Sequence, residues 1–211
     1  MAEDELESSR ILPLIKRSEP QGAETVVPAP AADIPVTEQL AGELLITYVF
    51  DLPGMFRYVS AGDCTRLHLA PGDLRPLAAG NLTRRRSRPQ IKPAASAAMF
   101  VLDGDLEASL LLVDHLWDQI GPQLPGDLIA SVPSRDTLFV TGSHVPGGIA
   151  ALTRAADAVA RESGTRLLLT RALLIRDGQS WSVLATRPRD SNNHNPYEVN
   201  TREPPIRTFS V

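Results

Sequence analysis

The chain has one cysteine, Cys64, and four histidines in 211 residues. A single thiol excludes an intrachain disulfide framework and a Cys-rich zinc site, and it points to a reducing compartment. The histidines His68, His115, His144 and His194 have no metal-ligand spacing, and no Cys–His nucleophile pair has support in the sequence. A basic excess is missing too. Lys and Arg number 21 against 25 Asp and Glu, a net charge of −4, so no global field gathers nucleic acid or an anionic membrane. No run approaches the roughly 20 apolar residues of a membrane span. The opening Met1-Ala2-Glu3-Asp4 is acidic where a signal peptide is basic, and a soluble, cytoplasmic protein is the expectation. Walker and Gly-x-Gly-x-x-Gly loops and the Gly-x-Ser-x-Gly elbow do not occur, so Ser131, Ser134 and Ser143 are read as turn or cap residues.

What is present is enough apolar material, 43% of the residues, for one substantial core. The 18 prolines and 14 glycines imply that part of the length lies outside it. The expected organisation is an acidic N-terminal tail over 1–10, a single domain over 11–187 and a C-terminal tail over 188–211. Within the domain, 18–36 is rich in Pro and Ala without apolar periodicity and reads as an extended loop.

Inside the domain, the run Ile11-Leu12-Pro13-Leu14-Ile15 reads as an edge strand, because proline cannot donate to a central ladder. ELLITYVFD at 43–51 is rich in β-branched and aromatic residues and stops at Leu52-Pro53-Gly54; a second strand follows at 55–59. Ser60 and Asp63 have the spacing of a helix cap. Residues 71–82 open with proline and place Leu74, Leu77, Ala78 and Leu82 on one helical stripe. A strand at 97–102 breaks at Asp103-Gly104. A long helix is then predicted over 106–120, with Asp105 as its N-cap and Leu106, Leu110, Val113, Trp117 and Ile120 on one face. Leu112 and Leu116 widen the apolar surface, so this helix is expected to be buried on more than one side. Two hairpins, 127–141 turning at 133–136 and 166–185 turning at Asp177-Gly178, flank an amphipathic helix over 147–162. With aromatics at only 5% of the chain, Trp117 and Trp181 are read as packing residues. The expected fold class is α+β, a mostly antiparallel sheet with about three covering helices in a single domain.

Candidate chemistry is fragmentary. Glu107, Asp114 and Asp118 fall within about 20° of one helical line, but carboxylates along one helix converge on a hard cation only if another element contributes, such as Asp103 or Asp105. The weak metal candidates are therefore Asp103, Asp105, Glu107 and Asp114, against a solvated or capping acidic edge. Thr141-Gly142-Ser143-His144-Val145-Pro146-Gly147-Gly148 joins a strand to a helix start, where free N–H groups hold anions in other proteins; Gly142, Ser143, Gly147 and Gly148 are the weak anion-binding candidates. Arg84, Arg85, Arg86 and Arg88 lack interleaved aromatics and read as a solvated loop rather than a nucleic-acid patch.

Several of these residues form a set: Ile11-Leu12-Pro13-Leu14-Ile15, Asp51-Leu52, Arg57-Tyr58, Asn81-Leu82, Asp103-Gly104 with Glu107-Ala108-Ser109, and Ala130-Ser131-Val132-Pro133. Together, over about 11–187, they resemble the YtpQ-like bacterial family, a domain of unknown function. The resemblance implies a cytoplasmic α+β protein and carries over no catalytic residue and no cofactor. The functional expectation is a non-catalytic protein that binds another protein or a small ligand. Its rival is a metal-assisted hydrolase using the acidic residues from Asp103 to Glu107 with Asp114.

Overall fold

The computed structural model describes residues 6–18, 30–86, 88–162 and 168–185. The fold is α+β, with every strand pair antiparallel, and the strands divide into two sheets. The first sheet is built on β3 (Leu44–Leu52), with β1 (Ile11–Arg17) along one side and β2 (Thr37–Ala41) and β4 (Met55–Tyr58) end to end along the other. β1 is an edge strand, as Pro13 requires, yet Ile11, Leu12, Leu14 and Ile15 are all buried. Helix α2 (Leu74–Arg85) covers it with a face of Leu74, Ala78, Asn81 and Leu82, spaced i, i+4, i+7 and i+8. Strand β2 is absent from the sequence reading, since Thr37, Glu38 and Gln39 have no apolar alternation. Backbone pairing to β3 and the hydroxyl of Tyr48, which donates to Glu38, hold it in place. Ser60 caps α1 (Ala61–Arg66) in a reciprocal box with Asp63, as its spacing predicts.

The second sheet runs β10-β9-β7-β8-β6-β5, from β5 (Gln90–Pro93), β6 (Ala98–Val101), β7 (Leu128–Ser134), β8 (Thr137–Gly142), β9 (Leu173–Asp177) and β10 (Ser180–Val183). The predicted four-residue turn at 133–136 tightens to Arg135-Asp136, because Pro133 and Ser134 remain in β7. Helix α4 (Gly148–Glu162) packs on this sheet through Leu152 against Ile129 and Leu173, a small cluster separate from the main core. That main core draws on both sheets, from Ile11 and Phe50 in one to Val140 and Trp181 in the other. The sheets also meet at an edge, where β10 approaches β2: a Cβ on Gly42 would stand 2.6 Å from Val183, and Thr170 donates to Glu43 at 2.7 Å.

The predicted helix over 106–120 is two elements. Residues Glu107–Leu112 form a 3₁₀ helix, Val113 breaks it at φ −94° and ψ 78°, and α3 (Asp114–Ile120) follows. Asp105 is exposed and caps nothing; Leu106 occupies the N-cap without a side-chain bond. The physical reason is competition for carbonyls. The Val113 amide donates to Leu110, and the Trp117 and Trp181 indoles donate to Leu110 and Leu111 at 2.8 Å each, replacing bonds that a continuous α-helix would supply. Every residue from Leu106 to Val113 is buried, so apolar spacing here has no polar face by which to reveal its period.

Within the expected N-terminal tail, Ser8–Arg10 form a 3₁₀ turn, and the Asn81 amide donates to the carbonyls of Ser8 and Ile11 at 2.8 and 2.9 Å; residues 1–5 lie outside the described ones. Most of the 18–36 loop and the tail over 188–211 lie outside the described residues, as does His194.

Candidate functional site

The acidic candidates do not converge. Asp103 pairs with Arg86 at 2.8 Å, and Arg86 also reaches Asp51 at 3.2 Å. Glu107 is buried, and its Oε1 accepts from the Leu102 and Gly104 amides at 3.0 and 2.8 Å, closing the loop into the 3₁₀ helix. Asp114 and Asp118, one turn apart on α3, share the Arg176 guanidinium at 3.1 and 3.2 Å. Among the described residues no group of three or more His, Cys, Asp or Glu side chains is placed to hold a metal ion. Asp103, Glu107 and Asp114 instead each secure a joint of the fold, while Asp105 is exposed.

Four amides of the loop over 141–148 are spent internally. The Ser143, His144, Val145 and Gly148 amides donate to the carbonyls of Asp127, Pro125, Gly142 and Val145. The Ser143 hydroxyl oxygen accepts from the Asp127 amide at 2.8 Å and lies 3.5 Å from the Asp127 carboxylate, which would repel an anion. A Cβ on Gly142 would collide with the Pro125 carbonyl, and one on Gly148 with the Thr141 hydroxyl, so both glycines serve close packing. Only Gly147 needs its conformational freedom, at φ +72°. The hydroxyl of Ser131 is buried without a partner among the described residues, and that of Ser134 donates to the Asp136 carboxylate and lies 2.8 Å from the Thr137 hydroxyl.

The concave surface lies elsewhere. A cleft of about 730 Å³ runs between α2 and the junction of the 3₁₀ helix with α3, with Gln179 and Ser180 of the β9–β10 hairpin also in its lining. Pro76, Ala79, Gly80 and Thr83 form its α2 wall, Val113, Asp114 and His115 the facing wall, and Arg75 and Arg84 bring two cations to it. Its size falls within the range of small-molecule sites. Among the described residues neither arginine has a carboxylate partner within ion-pair distance, in contrast to Arg85 and Arg86, which reach Asp51.

Arg84 is held in position. Its Nη2 donates to the Asn81 side-chain oxygen at 2.8 Å, and Asn81 is itself 2% exposed, its amide nitrogen committed to Ser8 and Ile11. The guanidinium folds back over Gly80, where an added Cβ would stand 3.3 Å from Nη1. A buried amide and a missing side chain thus aim a permanent cation along the cleft, which lowers the ordering cost of binding a partner. Asp114 faces the same space, but its charge is countered by Arg176. His115, Thr83 and Ser180 also line the cleft, and among the described residues no hydrogen bond joins any two of them, so no nucleophile–base pair is assembled.

The sequence reading places Arg84 in a solvated loop, names Asn81 only within the resemblance set, and assigns nothing to Arg75 or Gly80. One signal was available: Asn81 interrupts the apolar stripe of α2 seven residues after Leu74, and a polar group at a core position must find partners. The cleft itself has no local signature, since its walls are separated by some 30 to 100 residues of sequence. No family model, curated protein or solved structure matches the chain.

Proposed function

We propose that the protein is a non-catalytic binder that takes a small anionic ligand in the cleft between α2 and the α3 junction. The observation that carries this reading is Arg84, a guanidinium with no carboxylate partner among the described residues, held by buried Asn81 over Gly80 and joined in the cleft by Arg75. A planar fork of donors fixed in this way suits a carboxylate or phosphate. The hydrolase reading has no comparable support, because Asp103, Glu107 and Asp114 are each engaged with a different partner and Asp105 stands apart from them. Membership of the YtpQ-like family and a cytoplasmic, bacterial setting are proposed on the sequence motifs alone. No helix among the described residues is long and apolar enough to cross a membrane.

The test is titration calorimetry of the full chain with small carboxylates and phosphates, comparing wild type with Arg84→Gln. Loss of one charge-assisted contact removes about 1.5–3 kcal/mol, a weakening of roughly tenfold to a hundredfold. Unchanged affinity in Arg84→Gln, or no binding by any member of the panel, overturns the proposal.

A further inference from the structure

A second compartment adjoins the cleft. It measures about 260 Å³ and is lined by Leu82, Leu102, Leu110, Val113 and Leu116, with Arg88 and Gln119 at its margin. Thr83, Val113 and His115 belong to both spaces, so the two lie side by side, one carrying the cations Arg75 and Arg84 and the other mainly apolar. The apolar walls have separate origins in α2, the loop after β6, the 3₁₀ helix and α3, and the break at Val113 is what separates the last two and opens the space between them.

Resting on the cleft reading above, we infer that the ligand is a small amphiphilic anion: a carboxylate or phosphate head held by Arg84 and Arg75, carrying an aliphatic or aryl body that enters the Leu102–Leu116 compartment. Charge complementarity selects the head, because Asp114, the only carboxylate among the described lining residues, is countered by Arg176. Size selects the body. An apolar cavity of about 150 Å³ accepts benzene, so this one accommodates on the order of six to ten carbon atoms. The compartment's leucines and Val113 are already buried apart from half-buried Leu102, so the affinity it offers comes from the apolar surface that the ligand's own body removes from water.

The experiment is calorimetry on the full chain with straight-chain carboxylates from acetate to decanoate below their micelle concentrations, with inorganic phosphate and octanol as reference probes. Affinity should rise about fourfold per added methylene and level off once the compartment is full, with octanol at least tenfold weaker than octanoate. Leu102→Trp, which fills the compartment from a half-buried position, should flatten the dependence on chain length while acetate binding persists. Acetate and phosphate binding with no chain-length dependence in the wild type would overturn this inference and leave the cleft reading standing. Octanol binding as tightly as octanoate would overturn the anionic head. Absence of binding by every probe would overturn both, and the wild-type series decides the matter even if Leu102→Trp does not fold.

Discussion

The indole of Trp181 on β10 stands edge-on to that of Trp117 on α3, with centroids 5.7 Å apart and planes at 86°, and the two N–H groups go to consecutive carbonyls, Leu111 and Leu110. The pair does two jobs at once. Its rings fill the core beside Phe100, whose centroid is 5.3 Å from that of Trp117, and its donors satisfy the end of a buried 3₁₀ helix.

Trp181→Phe keeps most of the apolar volume and removes the donor to Leu111. A buried carbonyl left without its partner costs about 1–3 kcal/mol. Guanidinium unfolding should show a lower midpoint by that amount, and a midpoint equal to wild type would mean that the indole N–H has no structural role.

Acid should loosen the first sheet through Asp63. Burial raises the pKa of this carboxyl, but bonds from the Ser60 amide, Arg57, the Ser60 hydroxyl and Arg66 outweigh it and hold the value below the ordinary carboxylate range. A depressed folded value means stabilisation that is complete above the unfolded carboxylate pKa and is lost as pH falls through that range toward the folded value. Asp63→Asn should therefore be less stable at neutral pH, by about 1–3 kcal/mol, and should lose part of the acid dependence. Parallel acid-unfolding curves for the two proteins would contradict this.

Gly142→Ala should destabilise the protein by about 1–3 kcal/mol, because the new methyl group meets the backbone of Pro125 rather than a side chain that can move. Gly72→Ala is the matched control. It lies in the 3₁₀ turn Pro71–Asp73 without a positive φ, and nothing lies within 4 Å of the added Cβ, so it should gain about 0.4–1 kcal/mol. Thermal melts of both variants check the contrast in sign.

Arg176 connects the second sheet to the cleft. Arg176→Gln frees the Asp114 carboxylate, which lines the same space as Arg75 and Arg84. Octanoate binding should weaken by roughly two- to fivefold, the scale of a partly exposed charge pair. The loss should shrink in high salt, and calorimetry at two ionic strengths measures it.

Most of the fold is legible in the sequence wherever one face of an element is polar. The capping spacing of Ser60 and Asp63, the stripe of α2 and the amphipathic α4 all read correctly, as does the edge position of β1 from Pro13. Strands β2 and β5 escape because Thr37-Glu38-Gln39 and Gln90-Ile91-Lys92-Pro93 join their sheets through the backbone, with little apolar alternation to betray them. The break at Val113 escapes for the opposite reason, since the segment is apolar on every side and its carbonyls are claimed by two distant tryptophans. The division into two sheets depends on which strands pair, and the cleft depends on that division, so neither is written in any local window. Asn81 is the exception, a buried polar residue whose neighbours Gly80 and Arg84 acquire meaning only once its partners are known.

The debt that Leu111 owes to Trp181 spans 70 residues, and the bond between Glu43 and Thr170 spans 127. Synthesis at about 5–20 residues per second therefore leaves the central segment waiting several seconds for its last donor after it has emerged. During that interval the four-stranded sheet can form locally while its buried side lies open, and the final hairpin, β9–β10, seals it. A stretch that is buried along its whole length in the fold is thus exposed during birth, and the order of translation decides when it stops being a hazard.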